Sequence, residues 1–92
     1  MKLEKNIILE KLSKLNNWLF TDDTILKDFV FKDFSSALAF VVKVGIIAEK
    51  IDHHPNIELH SWNKVKITCY THTSNGITEK DFELVSKIES EL

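Results

Sequence analysis

The chain has 92 residues, of which 43% are hydrophobic and only 2 are glycine and 1 proline, and its formal net charge is −2. This length fits one domain over residues 1–92, and the composition excludes a disordered or low-complexity chain. No apolar run approaches the roughly 20 residues needed to cross a bilayer, and the near-neutral charge gives no reason to expect nucleic acid as a partner. The N-terminus leads into an amphipathic pattern rather than the apolar core of a signal peptide, so we expect a cytoplasmic protein that contacts no membrane.

The lysine and cysteine content excludes two further kinds of interaction. All 12 basic residues are lysines, which excludes the forked contact that arginine makes with phosphate. The single cysteine, Cys69, excludes an intrachain disulfide. A core of this size is marginal, so association with another copy would add stability.

The first predicted element is an amphipathic helix over residues 3–15. Its apolar face carries Ile8, Leu12 and Leu15 at helical spacing. The asparagines at 16–17 are typical of a helix end, because asparagine tolerates the left-handed backbone that a helix end requires.

A β-hairpin is predicted next, from two short apolar segments at 18–20 and 25–31. The residues between them, 21–24, are rich in turn formers. The second segment alternates, and one of its faces consists of Ile25, Lys27, Phe29 and Phe31. We expect this aromatic face to point inward.

The central element is a helix over residues 34–51, with Asp33 as its N-cap. Apolar residues cover most of its circumference, so more than one side must be buried. One side would cover a sheet, and another could meet a neighbouring helix or subunit. The helix must end near Asp52, because Pro55 disfavours helical geometry at His54.

The last third of the chain predicts a second hairpin and a final helix. The hairpin strands are residues 57–62 and 65–72, around Asn-Lys at 63–64. Thr78 has the position of an N-cap, with Asp81 as its capping-box partner. The resulting order is α-β-β-α-β-β-α. We therefore predict an α+β fold, with a four-stranded antiparallel sheet and three helices packed on one face.

Three of the four histidines fall at the ends of predicted elements. His53 and His54 follow the central helix, and His72 ends the last strand. Histidine is the side chain best suited to moving protons near neutral pH. Glu49 lies one helical turn before His53, so its carboxylate could orient that ring.

Structural explanations compete with each functional one. A histidine pair after a helix is usually solvated, His72 could simply be exposed, and Asp81 is favoured as a capping residue. Cys69 is favoured as an inert buried thiol, and Trp18 as a core or rim aromatic. His60 is favoured as a surface histidine. A metal site built from histidines is disfavoured, because the chain has neither a His-x-x-x-His spacing nor a cysteine pair.

Several motifs occur together in a fixed order. They are Ala-Glu-Lys-Ile-Asp-His-His-Pro at 48–55, Asn-Lys-Val at 63–65, Thr-His at 71–72, Gly-Ile-Thr at 76–78 and Asp81. The same set includes, upstream, Trp18 and the pattern Phe-x-Phe-x-Asp-Phe-x-x-Ala at 29–37. This ordered set, which extends over residues 12–88, resembles the pterin-4a-carbinolamine dehydratase family.

The resemblance implies a hydro-lyase. Such an enzyme dehydrates 4a-hydroxytetrahydropterin, the adduct left by aromatic amino acid hydroxylases, to quinonoid dihydropterin and water, so that the tetrahydropterin can be recycled. The resemblance implies no metal or organic cofactor. It implies that His53, His54 and His72 are the catalytic acid/base set. It places in the pterin pocket Glu49, Asp52, Thr71 and Thr73, with Trp18 at the rim.

The sequence also departs from the family pattern. Asn56 and Ile57 stand where members commonly have an acidic residue and tryptophan, Trp62 replaces a tyrosine, and Asn17 replaces a glycine. None of these changes removes a catalytic histidine. From the resemblance we expect the loss of the aromatic side chain at Ile57 to affect the pocket wall or the packing next to it, and with it the substrate preference.

Two other functions compete with the dehydratase. A family member in animals is a dimerisation cofactor for a homeodomain transcription factor, so a non-catalytic role on a protein partner is one alternative. The other is action on a pterin related to the molybdenum cofactor, which the absence of arginine disfavours because such ligands carry phosphate. Whichever of these functions is correct, we expect a homodimer or homotetramer.

Overall fold

The computed structural model describes residues 1–92 and has the predicted α+β architecture. The helices are α1 (Lys5–Leu12), α2 (Phe34–Ile51) and α3 (Glu79–Glu89). The strands are β1 (Leu19–Thr21), β2 (Thr24–Val30), β3 (Asn56–His60) and β4 (Lys64–Cys69). They form one antiparallel sheet in the order β1-β2-β4-β3. The predicted element order, α-β-β-α-β-β-α, is confirmed. No helix is long and apolar enough to cross a membrane.

The core lies between the sheet and the helices. On the sheet, alternate residues of β2 and β4 face inward, and Ile25, Val65 and Ile67 are fully buried. Helix α2 covers them with its inner face, which consists of Ala37, Phe40, Val44 and Ala48. Helix α3 adds Leu84, Val85 and Ile88. The opposite face of the sheet stays open, because the alternation of the strands puts polar side chains there.

Capping side chains fix the first residues of α2 and α3, as predicted. Asp33 caps α2 by accepting a hydrogen bond from Ser36 N at 2.8 Å, and the hydrogen bonds from the Ser36 side chain and backbone lower the pKa of this carboxyl. Thr78 and Asp81 form a complete capping box at the start of α3. These bonds satisfy backbone groups that the first helical turn leaves unpaired.

Helix α1 is shorter than predicted. It begins at Lys5, because Leu3 N donates to Ile77 O at 2.7 Å and so holds the preceding backbone against another segment. The helix ends at Leu12. Its buried residues are Ile8 and Leu12, and Leu15 lies beyond it in partly buried irregular chain.

The second hairpin differs from the prediction at both ends of β4. Its turn lies at residues 61–63, with positive φ at Ser61 and Trp62 (50° and 57°), and Asn63 pairs with Phe31 through its backbone and side chain at 2.9 Å. Strand β4 ends at Cys69, where the prediction extended it to His72. His72 instead begins a 3-10 turn, His72–Ser74.

A buried charged group ties the C-terminal end of α3 to the sheet. Lys27 points inward from β2, and its Nζ lies 2.8 Å from Glu89 Oε2, which also accepts a 2.7 Å hydrogen bond from Trp18 Nε1. Only 10% of the Lys27 side chain and 25% of the Glu89 side chain are exposed. Removing the carboxylate would leave both donors without a partner away from water.

We expect Glu89→Ala to lower the free energy of unfolding by about 2 kcal/mol, measured by urea unfolding. Glu91→Ala is the matched control, since Glu91 is exposed and makes no such contact. Equal stability of the two variants would contradict this role for Glu89.

Candidate functional site

The end of α2 determines where His53 points. Asp52 has a left-handed backbone (φ 54°), and the two following hydrogen bonds run from Asp52 N to Glu49 O and from His53 N to Ala48 O. This is the Schellman arrangement, which usually requires glycine but tolerates short polar residues. It turns the chain sharply, so that His53 leaves the helix axis and its ring faces the start of α3.

Asp81 holds the His53 ring. His53 Nε2 lies 2.7 Å from Asp81 Oδ1, and the carboxyl group is fully buried. The other oxygen, Oδ2, accepts hydrogen bonds from Thr71 Oγ1 at 2.7 Å and Thr78 N at 2.9 Å. Because a carboxylate only accepts, Nε2 carries a hydrogen and Nδ1 is left to exchange a proton. Asp81 is thus both the predicted capping residue and the group that orients His53.

Glu49 contacts a different histidine from the one predicted. Its Oε1 lies 2.9 Å from Nε2 of His54, not of His53. The turn at Asp52 is the reason, because the chain is no longer helical at His53 and one helical turn of spacing does not bring the two side chains together. The pair is exposed, so its attraction is weakened by solvent.

His72 approaches from the other side, on the 3-10 turn after β4. An isolated bridge between Thr71 and Gly76 closes this loop. The His72 side chain is exposed, and its ring meets the Tyr70 ring edge to face with centroids 5.0 Å apart. The loop therefore presents His72 to the same region that His54 borders.

One cavity of about 300 Å³ brings most of the predicted site residues together. We call it the histidine cavity, and its lining consists of Asp52, His53, His54, Tyr70, Thr71, His72 and Thr73. All three predicted histidines line it, together with three of the predicted pocket residues. Glu49 does not line it but reaches it through His54.

Trp18 is not brought to this cavity, in contrast to the rim position that the resemblance implies. It is only 4% exposed and packs edge-on against Phe29, with ring centroids 5.9 Å apart. Its indole nitrogen donates to Glu89. The apolar ring is buried in the core because Glu89 satisfies its one polar group there.

Two residues of the site escaped the sequence reasoning. Asp81 was favoured as a cap and counted among the family motifs, but its contact with His53, which spans 28 positions of sequence, was not predicted. Tyr70 had a usable signal, since the alternation of the predicted strand at 65–72 placed it on the same face as His72. His60 lies outside the cavity, 2.9 Å from Asp28 on the open face of the sheet.

No group of three or more His, Cys, Asp or Glu side chains could hold a metal ion.

Cys69 lies close to the site but is sealed from it. The side chain is fully buried, and burial, together with the nearby Asp81 carboxylate, raises the pKa of the thiol. A protonated, inaccessible thiol cannot serve as a nucleophile. The predicted inert role is therefore consistent with its surroundings.

The Cys69 thiol should stabilise the fold only where the unfolded thiol stays protonated. We expect the stability difference between the wild-type protein and Cys69→Ala to shrink above about pH 8.5, by about 1.4 kcal/mol per pH unit, because the unfolded thiol loses its proton there and the folded one does not. Urea unfolding at several pH values measures this. A pH-independent difference, or fast labelling of the native protein by a thiol reagent, would contradict it.

The chemistry available in the histidine cavity is proton transfer. Three imidazoles border it, one of them fixed by a buried carboxylate, while neither a cysteine nor a lysine lines it. Groups of this type can donate a proton at one atom of a ligand and accept one at another. The arrangement suits addition or elimination of water better than nucleophilic catalysis.

Comparison with known proteins points to one family. The model described as Pterin 4 alpha carbinolamine dehydratase matches residues 1–91. A relative from Sulfolobus acidocaldarius that bears this family's name is 40% identical over 88 residues, which is 96% of each chain. Another, from Roseiflexus sp. strain RS-1, is 42% identical over 82 residues, 89% of this chain and 87% of its own.

Solved structures agree. A crystal structure described as a transcriptional coactivator/pterin dehydratase from Brucella melitensis superposes with a TM-score of 0.91 at 36% identity, over 98% of this chain and 97% of that one. A pterin dehydratase-like protein, described as a RuBisCO assembly factor in the alpha-carboxysome, shares the fold, with a TM-score of 0.64 at 20% identity over 80% of this chain and 84% of its own. Because the family model covers nearly every residue and relatives are about 40% identical along the same length, the chain belongs to the pterin-4a-carbinolamine dehydratase family.

Proposed function

We propose that this chain dehydrates 4a-hydroxytetrahydropterin to quinonoid dihydropterin and water. The observation that carries the proposal is the convergence of His53, His54 and His72 on one cavity. Family membership and the names of the relatives support the same reaction. In this role the protein would act in the cytoplasm, where it would return the product of an aromatic amino acid hydroxylase to the tetrahydropterin cycle.

The reaction needs two proton transfers and no change of oxidation state. The bond between C4a and the hydroxyl oxygen breaks, and the hydroxyl leaves as water after it receives a proton. N5 loses its proton, and the electron pair of the broken N5–H bond forms the N5–C4a double bond. A general acid and a general base on opposite sides of the substrate are sufficient, so the proposal includes neither a metal nor an organic cofactor.

We assign the acid and the base to the histidine set as a unit, because all three rings line the same cavity. His53 is the most firmly positioned member, since Asp81 holds its Nε2 at 2.7 Å. Glu49 plays a weaker orienting role toward His54. Asp52, Thr71 and Thr73 complete the wall, where their polar groups can bind the ring of the pterin.

The direct test generates the 4a-hydroxypterin in situ with a purified hydroxylase and follows its decay by ultraviolet absorbance. Addition of this protein should accelerate the decay in proportion to its concentration. Heat-denatured protein at the same concentration is the control for nonspecific catalysis. A decay rate that stays at the uncatalysed value would contradict the proposed function.

Association through α2 is the second part of the proposal, with a homodimer or homotetramer as the expected state. Four large apolar side chains stand on its outer side at intervals of four residues, and each is about half exposed. This α2 outer stripe consists of Phe34 (51%), Leu38 (46%), Val42 (56%) and Ile46 (53%). A continuous apolar stripe on a helix is typical of a protein–protein contact.

The same stripe supports the alternative of a foreign protein partner. The Brucella structure is described as a coactivator as well as a dehydratase. We favour self-association, because contact with a second copy would stabilise the marginal core of a small domain without any foreign partner. Co-purification that recovers the chain only with itself would agree with this choice.

We expect Val42→Glu to weaken self-association at least about tenfold, because it would bury a charge in the interface. Its own fold should be unaffected, since Val42 is 56% exposed. Light scattering after size exclusion measures the mass. Lys43→Glu, a neighbouring exposed position outside the stripe, is the control. A monomeric wild-type protein, or an unchanged mass in Val42→Glu, would contradict this interface.

A further inference from the structure

His72 is the one member of the histidine set whose ring makes no hydrogen bond within the chain. The two others each lie beside a carboxylate oxygen, at 2.7 Å in His53 and at 2.9 Å in His54. The exposed His72 ring has a different neighbour, the ring of Tyr70, with centroids 5.0 Å apart and an angle of 77° between the two planes. This edge-to-face arrangement is one that aromatic rings favour.

Hydrogen bonds fix the backbone of the loop that carries His72, but not its side chain. At the base of the loop, Thr71 N donates to Gly76 O at 2.9 Å, and Gly76 N donates back to Thr71 O at 3.4 Å. Thr71 Oγ1 also donates to the buried Asp81 carboxylate at 2.7 Å. An exposed side chain without a polar partner can still populate several staggered rotamers. The ordered backbone therefore does not by itself point the His72 ring at the cavity.

Tyr70 is placed where it can restrict that rotation. It directly follows β4, its side chain is half-buried, and it lines the histidine cavity together with His72. Its hydroxyl contributes little, since the 3.4 Å distance to Asn75 Oδ1 is longer than a hydroxyl donor usually makes. The aromatic ring, rather than the hydroxyl, is thus the part of Tyr70 that acts on the imidazole.

We infer that Tyr70 is the positioning residue of His72 and holds its imidazole in one rotamer that faces the histidine cavity. The contact engages neither nitrogen of His72 in a hydrogen bond, so both nitrogens can exchange protons with a ligand. An aromatic pair of this kind favours one rotamer about fivefold. The effect on the rate rests on the proposed function, whereas the rotamer of His72 can be measured without any substrate.

Nuclear magnetic resonance tests the contact through the three-bond Hα–Hβ couplings, which report the χ1 rotamers of each histidine. His72 should show one dominant rotamer in the wild-type protein and in Tyr70→Phe, which keeps the ring. Tyr70→Leu removes the ring and should average the couplings of His72, while those of His53 stay unchanged. Averaged couplings of His72 in the wild-type protein, or couplings that Tyr70→Leu leaves unchanged, would overturn the inference.

Steady-state kinetics test the consequence for the reaction. Tyr70→Leu should lower kcat about fivefold and change KM by less than about twofold, because an orientation needed for proton transfer acts mainly in the transition state. Tyr70→Phe should keep kcat within about twofold of the wild-type value. In the His72→Ala background, Tyr70→Leu should have no further effect, since no imidazole is left to position. Trp62→Leu is the matched control, because Trp62 is an exposed aromatic residue outside the histidine cavity and should change neither constant.

Two kinetic results would overturn the inference while the proposed reaction stands. One is an unchanged kcat in Tyr70→Leu, whatever its KM, which would leave Tyr70 at most a binding residue. The other is a full additional loss of rate when Tyr70→Leu is combined with His72→Ala. If the wild-type protein has no dehydratase activity, the proposed function fails, and the couplings alone decide whether Tyr70 positions His72.

Discussion

Asp81→Asn should lower the stability of the protein by about 3 kcal/mol and its dehydratase rate about 100-fold. The carboxyl group is fully buried and accepts hydrogen bonds from three elements of the structure, through His53, Thr71 and Thr78. Asparagine keeps the shape of the side chain but offers one acceptor oxygen in place of two, and it turns an amide group toward one of the donors. The His53 ring then loses the group that orients it.

Two control variants separate the capping role from the positioning role. Thr78→Ala removes the N-cap hydroxyl and should cost about 1 kcal/mol of stability while the rate stays within a few-fold. Glu79→Gln changes an exposed acid in the same helical turn and should alter neither quantity. Unfolding is measured with urea, and the rate is measured at a temperature where all variants are folded. A wild-type rate in folded Asp81→Asn would contradict the positioning of His53 by this residue.

Replacement of the histidines should produce the largest losses of activity. We expect His53→Ala, His54→Ala and His72→Ala each to lower the rate by about 100-fold or more, which is the usual contribution of a general acid or base. Double variants should lose less than the product of the single losses, since the residues act as a unit. His60→Ala is the control, because His60 lies outside the histidine cavity and should leave the rate unchanged.

The pH dependence of the rate provides a second readout for the same residues. The wild-type rate should depend on pH, because a general acid must carry a proton and a general base must lack one. Each single substitution should alter the shape of that profile as well as its height. Full activity of His54→Ala and His72→Ala, or an unchanged profile in both, would contradict histidine acid/base catalysis.

The parts of the fold that could be predicted depend on contacts that are short along the chain. The periodicity of residues 34–51, the Asp33 cap and the capping box at Thr78 and Asp81 each involve groups within a few positions of one another. Their geometry follows from covalent structure and backbone hydrogen bonding, so the sequence indicates them directly. The resemblance in motif order then pointed to the histidines.

What could not be predicted involves a choice between local preferences that are nearly equal. The turn of the second hairpin lies at residues 61–63, not at the predicted 63–64, because Asn63 is held by the backbone of Phe31. Trp18 suits a pocket rim and a core equally well, until Glu89, 71 positions away, satisfies its ring nitrogen. Partners this distant leave no periodic signal.

By itself, then, the sequence determined the element order and the buried faces, because side-chain periodicity and capping are local properties. The three candidate histidines came from the resemblance in motif order. The tertiary structure decided which side chains surround those histidines. It paired Glu49 with His54 and gave His53 the buried Asp81. The physical reason is the left-handed turn at Asp52, which redirects the chain after α2 and brings His53 to Asp81 at the start of α3.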